Sequence, residues 1–157
     1  MKKLARIAFG FLAVMAIGCS SSDDNGGSSS DEIYLRWTEG GTSYDIEDVQ
    51  TGTSLATAIS GYQGIDDSFR GMTLWMPNNP TLGSHPLVYD NGSEVDIYSA
   101  DFAKGDIAIG ALSGTINITS LDSEYIKGTF SFSGTGSDGE TYTITNGSFR
   151  AYSPSGN

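Results

Sequence analysis

The chain has little of the side-chain chemistry on which many enzyme sites depend, because it contains one cysteine and one histidine. One cysteine cannot form an intramolecular disulfide or supply a cysteine cluster for a metal ion. The single histidine, His85, lies in a predicted loop, and no Gly-x-Ser-x-Gly segment accompanies it. A Ser-His-Asp triad is therefore not indicated. We expect a protein that is not an enzyme and that uses no cofactor.

Positive charge is also scarce, since 8 lysines and arginines stand against 19 aspartates and glutamates. Beyond the first residues the cations are scattered singly, at Arg36, Arg70, Lys104, Lys127 and Arg150. Strong binding to nucleic acid needs clustered cations that displace counterions, so we expect no nucleic-acid partner. The phosphate-binding Gly-x-x-x-x-Gly-Lys motif is absent as well.

Carboxylates are abundant but form no recognisable catalytic or metal-binding motif. Glycoside hydrolysis needs two carboxyl groups about 5–10 Å apart across a cleft, and none of the acids has an apolar setting that would raise its pKa. The candidates are Asp66, Asp67, Asp101, Asp106, Asp122 and Glu124. The segment Asp90–Asp96 offers oxygen ligands without the spacing of an EF-hand. We expect no metal site, with an incidental weak calcium site at this segment as the open alternative.

The first residues combine basic side chains with an apolar stretch from Leu4 to Ile17. That stretch is too short to cross a bilayer core, which needs about 20 residues, and it is typical of a secretory signal. The segment Ala16-Ile17-Gly18-Cys19 resembles the lipobox of bacterial lipoproteins. The resemblance implies that residues 1–18 are removed, that Cys19 is lipidated, and that the protein is held on the outer membrane. The alternative is an ordinary secretory leader with an incidental cysteine.

The residues after Cys19 are predicted to form a flexible tether over residues 19–31, because they carry no apolar side chain to bury. Ser22-Asp23-Asp24 also resembles the short acidic export signal of Bacteroidetes surface lipoproteins, which implies exposure on the cell surface. The alternative is an acidic, soluble linker. Cleavage before Cys19 would leave 5 basic residues against 19 acidic ones, a net charge of −14.

Residues 32–157 are predicted to form one β domain, because apolar residues recur at every second position. The alternating sets are Ile33/Leu35/Trp37, Met72/Leu74/Met76, Val95/Ile97, Ile116/Ile118, Ile126/Gly128/Phe130/Phe132 and Tyr142/Ile144. Residues 113–145 predict a three-stranded antiparallel meander with one apolar face. Since little helix is available to cover that face, we expect an all-β fold of about eight strands, either an antiparallel β-sandwich or a partly closed β-barrel.

Three segments leave their local structure open. Asn146-Gly147 is either the turn of a further hairpin or a bulge within one long strand, and the short remaining chain favours the bulge. Residues 53–60 form either a short helix or a strand. Residues 77–93 are predicted to be mostly loop, because proline and glycine recur through them.

Three segments of the last third resemble a group of Bacteroidetes lipoproteins that carry a β-rich domain of unknown function. They are Ile116–Asp122, Ile126–Phe132 and Thr143–Phe149, which follow the pattern ITxLD, IxGTFSF and ITNGxF. The resemblance implies a lipid anchor and an all-β fold. It implies no activity and transfers no functional residue other than Cys19.

Aromatic residues are the remaining candidates for a binding surface, because exposed rings recur at such sites. Trp37, Tyr62, Trp75, Tyr89 and Tyr98 could provide a stacking platform for sugars. Trp75 alternates with the apolar Met72/Leu74/Met76 face and Tyr89 lies in loop 77–93, so we name these two as ligand-binding candidates. The alternative, which we favour for Trp75, is that it packs under loop 77–93 or that the opposite face of its strand is the buried one. The first functional hypothesis is an anchored, non-enzymatic binding or structural module of the cell envelope whose partner is an envelope protein or a glycan. The second is a surface glycan-binding accessory protein, and the third is a hydrolase.

Overall fold

The computed structural model describes residues 32–89 and 96–154. The predicted leader, Cys19, the tether and most of the segment Asp90–Asp96 lie outside the described residues. No helix within the described ranges has the length and apolar character needed to span a bilayer.

The described residues form eleven β-strands and one short 3₁₀ turn at Asp66–Ser68. The strands are β1 (Tyr34–Glu39), β2 (Thr42–Ile46), β3 (Val49–Thr53), β4 (Thr57–Gln63), β5 (Arg70–Met76), β6 (Gly83–Pro86), β7 (Ser99–Lys104), β8 (Ile107–Gly110), β9 (Ser113–Leu121), β10 (Tyr125–Thr135) and β11 (Thr141–Tyr152).

The strands make two antiparallel sheets that pack as a sandwich and do not close into a barrel. The six-stranded sheet has the order β2-β1-β11-β10-β9-β6, and the five-stranded sheet has the order β3-β4-β5-β7-β8. The all-β prediction is confirmed, and of its two alternatives the sandwich is the observed one. The observed strand number exceeds the predicted number because several strands span only four or five residues, too few to show alternation in the sequence.

Alternation assigns the buried face correctly on the strands that show it. Leu35 and Trp37 of β1 are buried, and so are Met72, Leu74 and Met76 of β5. Ile116 and Ile118 of β9 and the inward residues of β10 lie on the same sheet as β1 and are buried against the β5 sheet. These side chains form one continuous core between the sheets, and the predicted β9-β10-β11 meander is confirmed.

The segment Asn146-Gly147 is a bulge within one long strand, as the short length of chain that follows it predicts. On β10, Phe130 pairs with Gly147 and Phe132 pairs with Ile144, so β11 contains one extra residue. Asn146 absorbs that residue with a φ of 52°, in the left-handed region. After the bulge, Phe149 and Ala151 return to the buried face.

The other open or uncertain segments are resolved by strand pairing. Within residues 53–60, the chain turns and then enters β4, so the strand alternative holds and the helix does not. The predicted loop 77–93 includes the short strand β6, which pairs with β9 at the sheet edge. Of the alternating pair Val95/Ile97, Val95 lies outside the described residues, and Ile97 lies in a bend before β7 begins at Ser99.

Candidate functional site

A groove with a volume of about 490 Å³ lies on the outer face of the five-stranded sheet. Its floor consists of residues that alternate with the buried ones on β5, β7 and β8. Gly71 pairs with Ala103, and Thr73 pairs with Asp101. Asp101 in turn pairs with Gly110 on β8. Because these outward side chains are small or short, they leave open space above the sheet.

One wall of the groove is formed by Phe69 and Tyr62. The ring of Phe69 lies over Gly71, since a Cβ built on that glycine would stand 3.2 Å from Cε1 and Cζ of the ring. Tyr62 stacks on Phe69 with 6.3 Å between ring centroids and 28° between ring planes. Tyr62 remains 56% exposed, so it offers a free ring surface at the rim.

The opposite wall is formed by Tyr89, which lies over Gly110. A Cβ on Gly110 would stand 3.0 Å from Cε2 of the tyrosine ring, so a glycine at this position lets the ring lie on the sheet. Tyr89 is 62% exposed. Gly71 and Gly110 belong to strands separated by β7, and Gly110 is level with Thr73, two residues along from Gly71. Strand spacing and rise therefore put the two glycines beneath the walls about 12 Å apart.

Asp101 provides the ionisable group in the floor of the groove. Its Oδ2 accepts a hydrogen bond of 2.8 Å from Nε1 of Trp75. A Cβ on Gly110 would stand 3.6 Å from its Oδ1, which places the carboxylate between Trp75 and the Tyr89 wall. No other carboxylate, and no cationic side chain, is found among the described residues that line the groove.

Trp75 lies on the outer face of β5, as its alternation with the buried Met72/Leu74/Met76 face predicts. Its indole is partly buried, and its N–H is engaged with Asp101. Trp75 therefore borders the groove behind Asp101, whereas Tyr89 lines it directly. The structure thus brings the two candidate residues to the same site but gives them different positions.

The remaining aromatic candidates lie elsewhere. Trp37 is buried in the core, where it stacks on Tyr44 with 5.2 Å between centroids. Its Nε1 is buried without a hydrogen-bond partner. Tyr98 stacks on His85 with 4.0 Å between centroids, away from the groove lining.

His85 is held by structural contacts. Its Nε2 lies 2.8 Å from the backbone oxygen of Thr81, and its ring stacks on Tyr98. Among the described residues, no group of three or more histidine, cysteine, aspartate or glutamate side chains is arranged to hold a metal ion.

The carboxylates with clearly shifted pKa values lie in turns. Backbone N–H groups of Tyr125 and Glu124 lower the pKa of Asp122. The hydroxyl of Tyr142 donates to Asp138 Oδ2 at 2.7 Å and lowers the pKa of Asp138. The same hydrogen bond raises the pKa of Tyr142 to about 12. These contacts stabilise the β9–β10 and β10–β11 turns and lie outside the groove lining.

Comparison of the chain with protein-family models, curated proteins and solved structures finds no match in any of the three. The site is therefore interpreted from its own geometry. Phe69 was not singled out from the sequence, because it follows a polar loop with no alternation. A usable signal was present in the small outward residues Gly71, Thr73 and Ala103, which alternate with buried ones.

Proposed function

We propose that this protein is an outer-membrane lipoprotein, anchored through Cys19, whose β-sandwich is a non-enzymatic module that binds a saccharide in the groove. The observation that carries the proposal is a pair of aromatic walls across a floor of small residues. One wall is the exposed Tyr62 with the partly buried Phe69, and the other is the exposed Tyr89. Binding sites commonly combine such apolar surfaces with a few convergent polar groups.

A pyranose ring fits this chemistry because it has an apolar face and a rim of hydroxyl groups. Aromatic rings offer a flat apolar surface of low conformational entropy. Ser60, Thr73 and Asp101 supply hydrogen-bonding groups in the floor of the same groove. A separation of about 12 Å between the positions beneath the two walls suits a short segment of a glycan chain.

A binding role is favoured over hydrolysis by the charge content of the groove. Hydrolysis of a glycoside needs two carboxyl groups about 5–10 Å apart, whereas the described lining contains only Asp101. His85 is held outside the lining by Tyr98 and Thr81. The purely structural module, the other part of our first hypothesis, gives no role to an exposed aromatic groove.

The position of the groove also suits a tethered protein. The described chain begins beside Arg150, whose Nη1 donates to the backbone oxygen of Glu32 at 3.3 Å. The groove floor lies nearer the other end of β1, because Lys104, which follows Ala103, contacts Glu39 at 3.0 Å. Strand β1 separates these ends by about 17 Å. A tether that leaves from Glu32 would leave the groove accessible.

The anchor is tested by mass spectrometry of the protein extracted from membranes, with Cys19→Ala as the variant. We expect acyl chains on Cys19 in the wild type and loss of membrane association in the variant. An unmodified thiol on a soluble, secreted protein would contradict this part of the proposal.

The groove is tested by glycan-array binding followed by calorimetry with the best ligand. We expect Tyr89→Ala and Tyr62→Ala to weaken binding at least about tenfold, as loss of an aromatic contact typically does. Tyr152→Ala is the matched control, since Tyr152 is 55% exposed against 56% for Tyr62 but lies outside the groove. Equal effects of all three substitutions would contradict the site.

A further inference from the structure

We infer that Asp101, oriented by the indole N–H of Trp75, sets the specificity of the groove by admitting uncharged saccharides and rejecting those with carboxylate or sulfate groups. This inference rests on the proposed saccharide-binding function. It assigns Trp75 the role of a positioning residue and Asp101 the role of a ligand contact.

The orientation of Asp101 follows from the register of β5 and β7. Asp101 pairs directly with Thr73, and Trp75 pairs with Ser99, so the indole reaches Asp101 diagonally across the two strands. The 2.8 Å bond to Oδ2 restricts rotation of the carboxylate. Asp101 has an interaction besides the one with Trp75, and a carboxylate accepts up to about four hydrogen bonds. We place a sugar hydroxyl group at a remaining acceptor position above the floor.

The charge pattern around the floor gives Asp101 its selective effect. The cations nearest along the strands, Arg70 on β5 and Lys104 on β7, make contacts away from the groove. Lys104 Nζ bonds Glu39 Oε1 on β1 at 3.0 Å, and Arg70 Nε donates to the hydroxyl of Tyr44 on β2 at 3.3 Å. No described lining residue is cationic, so an anionic group near Asp101 would meet repulsion without a compensating partner.

The position of the Asp101 carboxylate and the short side chains around it make it accessible to a bound ligand. It lies in the floor between the Phe69 and Tyr89 walls, and short side chains at Thr73, Ala103 and Gly110 surround it. A sugar ring that contacts either wall therefore has its hydroxyl groups near Asp101.

The test measures binding of the full-length protein to neutral oligosaccharides and to their uronate and sulfated counterparts on one array. We expect the wild type to bind neutral glycans at least about tenfold more tightly, and this preference to narrow at high salt, since salt screens repulsion. Asp101→Asn should keep an acceptor oxygen, but the ratio of neutral to acidic affinity should lose at least half of its logarithm. Asp48→Asn, an exposed aspartate outside the groove, should leave the preference unchanged.

Trp75→Phe tests the positioning role, because phenylalanine keeps an aromatic ring but lacks the N–H donor. We expect binding of neutral glycans to weaken by about two- to tenfold, because a carboxylate that the indole no longer restrains must be ordered when the ligand binds, together with a reduced neutral-to-acidic ratio. A purely structural role would alter the thermal melt without changing that ratio. Circular dichroism of each variant establishes folding before the ratios are compared.

The outcomes separate the two proposals. Equal or tighter wild-type binding of acidic glycans, or an unchanged ratio in a folded Asp101→Asn variant, would overturn this inference and leave saccharide binding in place. Absence of wild-type binding to every glycan on the array would contradict the proposed function itself, and this inference with it.

Discussion

Glu39 on β1 and Lys104 on β7 form an ion pair that joins the two sheets, with 3.0 Å between Lys104 Nζ and Glu39 Oε1. Glu39 is only 8% exposed, so its carboxylate depends on this contact. Lys104 Nζ also lies 5.5 Å from the centroid of the Tyr142 ring. Lys104 on the five-stranded sheet therefore contacts two strands of the six-stranded sheet, β1 through Glu39 and β11 through Tyr142.

Replacing Lys104 by methionine should lower the free energy of unfolding by about 1–3 kcal/mol. The value lies between those of exposed pairs and fully buried pairs, because the lysine side chain is 33% exposed and the glutamate side chain 10%. Urea denaturation measures the change. Lys104→Met combined with Glu39→Gln should recover part of the loss, since no buried charge is left unpaired. A double variant less stable than Lys104→Met would contradict this account.

The Tyr142–Asp138 hydrogen bond predicts a pH window of stabilisation. The pKa of Tyr142 is raised to about 12 and an unfolded tyrosine ionises near 10, so its contribution is complete below about pH 10 and is lost as the pH rises toward 12. The pKa of Asp138 is lowered, so its contribution is complete above about pH 4 and is lost as the pH falls through its folded value.

Ultraviolet absorbance titration measures the tyrosine arm of this prediction. One tyrosine should ionise near pH 12 in the wild type, and Tyr142→Phe should remove that step. Asp138→Asn should move it toward 10. A wild-type titration in which all tyrosines ionise near pH 10 would contradict the raised pKa of Tyr142.

The bulge on β11 predicts that substitution of Gly147 lowers stability, whereas substitution of its neighbour Asn146 by glycine is tolerated. Gly147→Ala should destabilise the fold by about 1–3 kcal/mol, because its Cβ would collide with the backbone oxygen and ring of Phe130. Asn146→Gly should change stability by less than about 1 kcal/mol, since glycine adopts a φ of 52° readily. Thermal melts of both variants provide the comparison, and comparable losses at the two positions would contradict the bulge geometry.

A larger side chain in the groove should weaken saccharide binding without unfolding the protein. Ala103→Leu places a larger side chain on the outward floor of β7, so we expect saccharide affinity to fall at least about tenfold. The melting temperature should change little, since Ala103 is only partly buried and its side chain faces the open groove. Thr129→Leu, on the outer face of the six-stranded sheet, is the control. Retained affinity in a folded Ala103→Leu variant would exclude this floor as the binding surface.

The fold was predictable from sequence where apolar residues repeat at every second position. Met72, Leu74 and Met76 establish which face of β5 is buried, and that assignment correctly predicts Trp75 on the outer face. The short strand β6 was not predictable, because Gly-Ser-His-Pro has no alternation and becomes a strand through pairing with β9.

The candidate site was predictable only in part, because it depends on contacts between distant segments. Tyr89 was singled out, but its place above Gly110 follows from the passage of the chain between sheets. Phe69, over β5, and Tyr89, over β8, lie on either side of β7 because that strand separates β5 from β8. Strand order of this kind is decided by packing of the whole core, and local sequence does not encode it.

Gly110 also lies where β8 of the five-stranded sheet contacts β10 of the six-stranded sheet. Its backbone oxygen stands where a Cβ on Gly134 of β10 would lie, while Tyr89 rests on its other side. Beside it, Leu112 N–H donates to the Ser133 oxygen at 3.0 Å and Ser137 N–H to the Ala108 oxygen at 3.1 Å. A ligand that packs Tyr89 against β8 would restrict local opening of the contact between β8 and β10. Occupancy of the groove would then be measurable as slower amide deuterium exchange at Leu112, which does not line the groove.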